Sequence, residues 1–151
     1  GGFFDRLLPH VAGTGAVTLY TSDHGQDLPE RGGAGGPTHC VPDPRPEEGA
    51  VPLVVIAASS ARIDWQADAR ANFDGMSHFR VFPTLLALMG YAPERTAAFY
   101  GPTLMSRETD PLTFTPTYHA SLGRAPTWRR VDRRELATPP PSDYVQMAHA
   151  R

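Results

Sequence analysis

The sequence predicts an α/β fold, a mainly parallel sheet flanked by helices, and three observations carry that expectation. Two short runs, Ala16-Val17-Thr18-Leu19-Tyr20-Thr21 and Val51-Pro52-Leu53-Val54-Val55-Ile56-Ala57, are apolar and rich in β-branched residues. That composition suits strands buried on both faces, as parallel sheets use them. Apolar residues at helical spacing bracket the two runs: Phe3, Phe4, Leu7, Leu8 and Val11 before, and Phe79, Phe82, Leu85, Leu86 and Met89 after. The resulting order of helix, strand, loop, strand, helix and strand is that of layered α/β proteins.

Taken in order, the first helix is weakened in its middle by Pro9 and ended by Gly13-Thr14-Gly15. The strand at 16–21 stops at Ser22-Asp23-His24-Gly25. Residues 26–50 read as a loop, with Gly32, Gly33, Gly35 and Gly36 followed by Pro37, Pro42, Pro44 and Pro46. A loop of that length inside a compact domain is functional or unstructured. The second strand tolerates Pro52 because it lies near the start. Ser77 is placed as the N-cap of a helix from about His78 to Met89, with Pro83 in its first turns and Gly90 as its C-cap. Beyond Tyr100-Gly101 the pattern thins; Phe114 to Ala120 reads as one more strand, and Pro139-Pro140-Pro141 opens a weakly structured tail.

The 151 residues, 40% of them hydrophobic, are enough for one domain with its own core. A formal net charge of −2 with 20% charged residues argues against a nucleic-acid partner, which calls for a basic surface. Cys40 is the single cysteine, which excludes an intrachain disulfide and a cysteine-based metal cluster. No apolar run approaches the roughly 18 residues that a membrane-spanning helix needs; Val51 to Ala58 is the longest. The chain opens on Gly1-Gly2-Phe3-Phe4, with neither an initiating Met nor a signal peptide. It is therefore expected to be a piece of a longer protein, whose other part would hold any targeting or membrane segment.

Asp23-His24 is the first candidate site. A carboxylate and a neutral imidazole are both good ligands for zinc and acceptable ones for manganese. In open α/β sheets, ligands bind beyond the carboxyl ends of strands, which is where this pair falls. Gly25 would permit the turn that lets neighbouring side chains converge on one ion. The residues alone leave a second reading open, in which Asp23 caps a turn and His24 is an exposed loop residue. His39 lies 15 positions after His24; a loop returning to the second strand would bring it back over the site, where it could bond an anionic oxygen. His78, at a helix start, is read as a capping or packing residue, with an anion-binding role as the alternative. His10, His119 and His149 have no supporting context. Cys40 is expected to be a small, at least half-buried residue, since adjacent side chains rarely face each other and no third group completes a Cys/His nucleophile pair. No Walker or dinucleotide motif is present, and the glycines at 32–36 do not link a strand to a helix.

Tyr20-Thr21-Ser22-Asp23-His24-Gly25-Gln26-Asp27-Leu28 resembles the segment of the sulfatase and phosphoethanolamine-transferase branch of the alkaline phosphatase superfamily that reads as a strand followed by Ser-Asp-His-Gly-Glu-Ser-Leu. Glu30 and Gly32 resemble its Gly-Glu-x-Gly continuation, and His39 the histidine closing that loop. Val51-Pro52-Leu53-Val54-Val55 resembles the family's Val-Pro-Leu strand. Ser77-His78 with Phe82-Pro83-Thr84-Leu85-Leu86-Ala87-Leu88-Met89-Gly90 resembles its Ser-His-x5-Pro-Thr-Leu-Leu-x-Leu-x-Gly helix, and Tyr100-Gly101 with Leu104 the stretch after it. Gln26 stands where Glu is usual and Pro29 where Gly is usual. The resemblance covers about residues 3–105, so residues 1–105 are read as the carboxyl-terminal part of a sulfatase-like catalytic domain and residues 106–151 as an extension with sparse secondary structure.

The resemblance implies an alkaline-phosphatase-like layered fold and a metal-dependent phosphoryl or sulfuryl ester transferase or hydrolase, phosphoethanolamine-transferase-like and acting on glycolipid or glycan. Asp23 and His24 would be metal ligands, for zinc or alternatively manganese, magnesium or calcium, and His39 would contact the phosphate or sulfate group. The nucleophile and remaining ligands belong to the family's amino-terminal half, so no catalytic residue is expected in this chain. The partner would be a phosphate- or sulfate-ester substrate, lipid-linked or free. The location would be a periplasmic or other extracytoplasmic domain of a bacterial inner-membrane protein. Two other readings stay open: a degenerate, non-catalytic sulfatase-fold scaffold, and a phosphoglycerate-mutase-like metal hydrolase in which His78 would be a ligand. Half of such a sheet would expose an edge and an apolar face, so the chain is expected either to dimerise through that edge or to correspond to a true sub-domain of the longer protein.

Overall fold

A computed structural model describes residues 2–12, 14–28, 37–41, 43–58, 63–116, 122–132 and 134–136. They form a mixed α/β structure of short helices and two small antiparallel sheets. The chain divides into two compact units, Gly1–Ser22 with Pro52–Leu112 and Asp23–Val51 with Thr113–Arg151.

The first unit opens with helix α1 (Gly2–Val11), which accommodates Pro9 in its last turn. The Thr14 hydroxyl closes that end, within hydrogen-bond reach of the His10 and Val11 carbonyl oxygens at 3.2 and 3.1 Å. Strand β1 (Val17–Thr21) and strand β2 (Leu53–Ala57) follow the two apolar runs. They pair with each other antiparallel, from Val17 opposite Ala57 to Thr21 opposite Leu53. Among the described residues no parallel pairing occurs, which corrects the expected mainly parallel sheet at this point. The reason lies in the connection. Adjacent parallel strands need a crossover, usually a helix, whereas any loop can reverse the chain for an antiparallel pair. The described part of the connection holds only one 3-10 turn, Pro46–Glu48. The strands are also half-buried rather than buried on both faces, with Tyr20 and Val54 exposed.

Helix α2 (Trp65–Ala71) is a feature the periodicity did not predict; Asp64 caps it by accepting the Ala67 amide at 2.9 Å. The predicted helix from His78 appears as a 3-10 turn, His78–Arg80, running into α3 (Val81–Leu88). Ser77 stands at the cap position in extended conformation, but its hydroxyl makes no cap bond; its amide donates to Asp110 Oδ2 at 2.8 Å instead. Gly90 ends α3 as predicted. At φ +93° its amide bonds the Ala87 carbonyl, and the Tyr91 amide bonds the Leu86 carbonyl, both at 3.0 Å, the paired bonds of a Schellman cap. Helix α4 (Pro93–Tyr100), also not predicted, starts on proline and stops at Gly101, where φ is +76°.

What holds this unit is polar. Arg80 is fully buried; its Nε meets Asp110 Oδ2 at 2.7 Å and its other nitrogens bond the Thr103, Ser106 and Glu108 carbonyls. Thr84, equally buried, donates to the Arg80 carbonyl at 2.6 Å and accepts the Leu104 amide at 2.8 Å. The apolar face predicted for α3 points outward, with Phe79, Phe82, Leu85 and Met89 exposed. Among the described residues only Val11 and Leu104 are buried hydrophobic side chains.

In the second unit, β3 (Thr113–Phe114) pairs antiparallel with β4 (Arg129–Arg130). Of the predicted strand at 114–120, Phe114 lies in β3, Thr115 and Pro116 lie outside any strand, and 117–120 lie outside the described residues, as do the glycines at 32–36 and the tail from Pro139. No helix among the described residues is long and apolar enough to cross a membrane.

Candidate metal centre

The site is built from the segment that leaves β1. Asp23 is exposed and His24 half-buried. The Asp23 carboxylate turns back along the chain and accepts the His24 amide on Oδ1 at 3.1 Å. The His24 ring stands 2.8 Å through Nδ1 from the Gly25 carbonyl oxygen. A carbonyl only accepts, so Nδ1 donates there. The other ring nitrogen, Nε2, lies 3.8 Å from Asp23 Oδ2. Two N and O ligands at about 2.0–2.2 Å from a tetrahedral ion stand roughly 3.3 Å apart. A shift of a few tenths of an ångström would therefore put both on one ion, with the Nδ1 bond fixing the imidazole as second partners do for metal-bound histidines.

Gly25 is needed here for space rather than for a left-handed turn. A Cβ on it would overlap the Glu47 carbonyl oxygen and come within 2.7 Å of that of Ala50. The approach is tight because the Gly25 amide donates to the Glu48 carbonyl at 2.8 Å.

The loop does return. The Asp27 amide donates to the Thr38 carbonyl at 2.8 Å, and the next residue, His39, sets its ring 4.4 Å from that of His24 at 44°. His39 is exposed. Cys40 departs from expectation: it is exposed, and its sulfur faces its neighbour, 3.2 Å from His39 Nδ1. Its left-handed backbone, φ +61°, turns the two adjacent side chains together, which an extended chain would not do. Glu30, Pro29 and Gly32, which carry part of the family resemblance, lie outside the described residues.

Within the first unit, His78 Nε2 stands 2.6 Å from the Thr21 hydroxyl, which itself donates to the Pro52 carbonyl at 2.7 Å. With its one proton committed there, the hydroxyl accepts from the imidazole. His78 is thus a packing residue that ties the start of α3 to the end of β1. His10 is exposed in α1; His119 and His149 lie outside the described residues.

Among the described residues no three His, Cys, Asp or Glu side chains converge as a metal-holding group. Asp23 and His24 fit a shared ion as two of its ligands. Compared with models of protein families, with curated proteins and with solved structures, the chain finds no match. One contributor is not evident from the sequence pattern: Glu48, hidden in a loop. Proline followed by two acids and a glycine, Pro46-Glu47-Glu48-Gly49, is a turn signal that could have drawn notice to it.

Proposed function

We propose that this chain is the metal-binding carboxyl-terminal part of a phosphoryl or sulfuryl ester transferase or hydrolase of the sulfatase-like kind, similar to phosphoethanolamine transferases, with an alkaline-phosphatase-like layered fold in the whole protein. Asp23 and His24 bind a divalent ion, zinc foremost, and His39 contacts the group being transferred. The observation that carries the reading is the placement of the His24 ring: Nδ1 stands 2.8 Å from the Gly25 carbonyl oxygen, Nε2 3.8 Å from an Asp23 carboxylate oxygen, and the His39 ring lies alongside.

Phosphoryl and sulfuryl transfer gather negative charge on the peripheral and leaving oxygens, so positioning and electrostatics do most of the work. A bound divalent ion supplies Lewis acidity there. The chain's own residues hold and orient: Asp23 contributes a carboxylate oxygen, His24 a ring nitrogen, and the exposed His39 a group able to bond an oxygen. Such an enzyme would work on a lipid-linked ester in an extracytoplasmic compartment.

Calorimetric titration of the chain with zinc tests this. With so few ligands, binding is expected to be roughly micromolar or weaker. Asp23→Ala and His24→Ala are each expected to abolish it. Binding unchanged in both variants would refute the assignment.

The absence of a third converging ligand among the described residues favours one second reading, a sulfatase-like scaffold without catalysis. Wild-type chain that takes up no zinc at millimolar concentration would support it.

A further inference from the structure

We propose that Glu48 is a positioning residue of the candidate metal centre: it sets the spacing of the His24 and His39 imidazoles. The inference rests on the metal reading for its functional consequence, but its geometry stands alone. Glu48 is only 4% exposed. Its Oε2 accepts the Cys40 amide at 3.0 Å, its Oε1 accepts the Arg45 amide at 3.3 Å, and its own carbonyl accepts the Gly25 amide at 2.8 Å. Two of those bonds land on the residue directly after a histidine, Gly25 after His24 and Cys40 after His39. Imidazoles 15 positions apart in the chain therefore hang from one residue.

The chemistry explains why a carboxylate stands there. A buried carboxylate is costly unless hydrogen-bonded, and bonds from amides to a charged acceptor are about twice as strong as neutral ones. Oε1 grips the start of the Pro46–Glu48 turn and Oε2 reaches across to the returning loop, so a single planar group fixes both. The bond to Cys40 also holds that residue in its left-handed conformation, which an L side chain otherwise resists. That conformation in turn sets where His39 projects. A glutamine keeps the size but offers one acceptor and one N–H2, and the N–H2 would confront a backbone N–H.

The test uses the full chain. In the wild type, nuclear Overhauser contacts between the His24 and His39 ring protons are expected, and slow exchange of the Cys40 amide although the residue is exposed. Glu48→Gln is expected to remove the ring contacts and weaken zinc binding about tenfold, while Glu94→Gln on exposed α4 changes neither. An unprotected Cys40 amide in the wild type, which requires no variant to fold, overturns the proposal. So does survival of the ring contacts in Glu48→Gln. Zinc affinity within twofold of wild type in Glu48→Gln, where Asp23→Ala abolishes binding, overturns the positioning role and leaves the metal reading intact. If neither Asp23→Ala nor His24→Ala has an effect, the metal reading fails by itself, and the ring contacts decide whether Glu48 spaces the histidines.

Discussion

Gly25 separates two reasons a glycine can be required. A Cβ at this position would collide with the Glu47 carbonyl, which cannot swing away because its neighbour Glu48 is held by the Gly25 amide itself. Gly25→Ala is therefore expected to cost about 1–3 kcal/mol, the range for overpacking. It should also release zinc binding, because the segment bearing His24 must move. Urea denaturation beside the zinc titration checks both; a loss below about 0.5 kcal/mol, the scale of an ordinary surface change, would show that the close approach is not maintained. The glycine was legible in the sequence, but its reason was not: a motif reports that a residue is small, not what presses on it. The same holds for His39. Its return could be anticipated from the loop, whereas the bonds that bring it back, Asp27 to Thr38 and Cys40 to Glu48, join residues that no local pattern pairs. The exposure of Cys40 is not legible either, because its left-handed backbone has no signature in the sequence.

At the scale of elements, helix ends were the most legible feature and helix faces the least. Gly90 closes α3 as its position suggested, and Gly90→Ala is expected to cost about 1–2 kcal/mol for forcing a side chain into the left-handed region. Asp64 before α2 and Pro93 at the head of α4 were equally readable signals, but those helices lack a strong apolar period and so went unpredicted. The face of α3 reversed. Apolar spacing placed Phe79, Phe82, Leu85 and Met89 on one side, yet the side that packs carries Arg80, Pro83 and Thr84. Arg80 explains this: four oxygen partners around one guanidinium fix the helix rotation. Asp110→Ala would strand that charge and is expected to cost about 3 kcal/mol or more. Adding Arg80→Met should recover part of the loss, since the buried charge is then gone. Thermal unfolding of the single and double variants decides it; a double variant less stable than Asp110→Ala would show that Arg80 stabilises through its carbonyl partners alone. The strands were found where predicted, but their pairing was not, because parallel-type composition describes burial and the connection decides direction.

For the molecule as a whole, the apolar surface demands a covering. Within the first unit, Phe79, Phe82, Leu85, Met89 and Phe99 are exposed, and Phe79, Phe82 and Phe99 line an open depression of about 410 Å³ with His78, Pro83 and Tyr100. The β1–β2 sheet has only two strands, which is marginal in isolation, and each strand has one edge with no strand paired to it among the described residues. We propose that the chain associates with a second copy through that edge. In the whole protein, the alkaline-phosphatase-like reading would instead lay further strands there. Light scattering is expected to show twice the chain mass at micromolar concentrations, and the dye ANS to fluoresce strongly on the uncovered aromatic residues. Val54→Lys should shift the scattering toward the monomer, because a charge on the edge strand β2 opposes edge-to-edge pairing. Phe79→Ser with Phe99→Ser should lower the dye signal and leave the mass unchanged, which separates the sheet edge from the aromatic depression. A monomer with little dye binding would contradict both and would mean that the chain covers these residues itself.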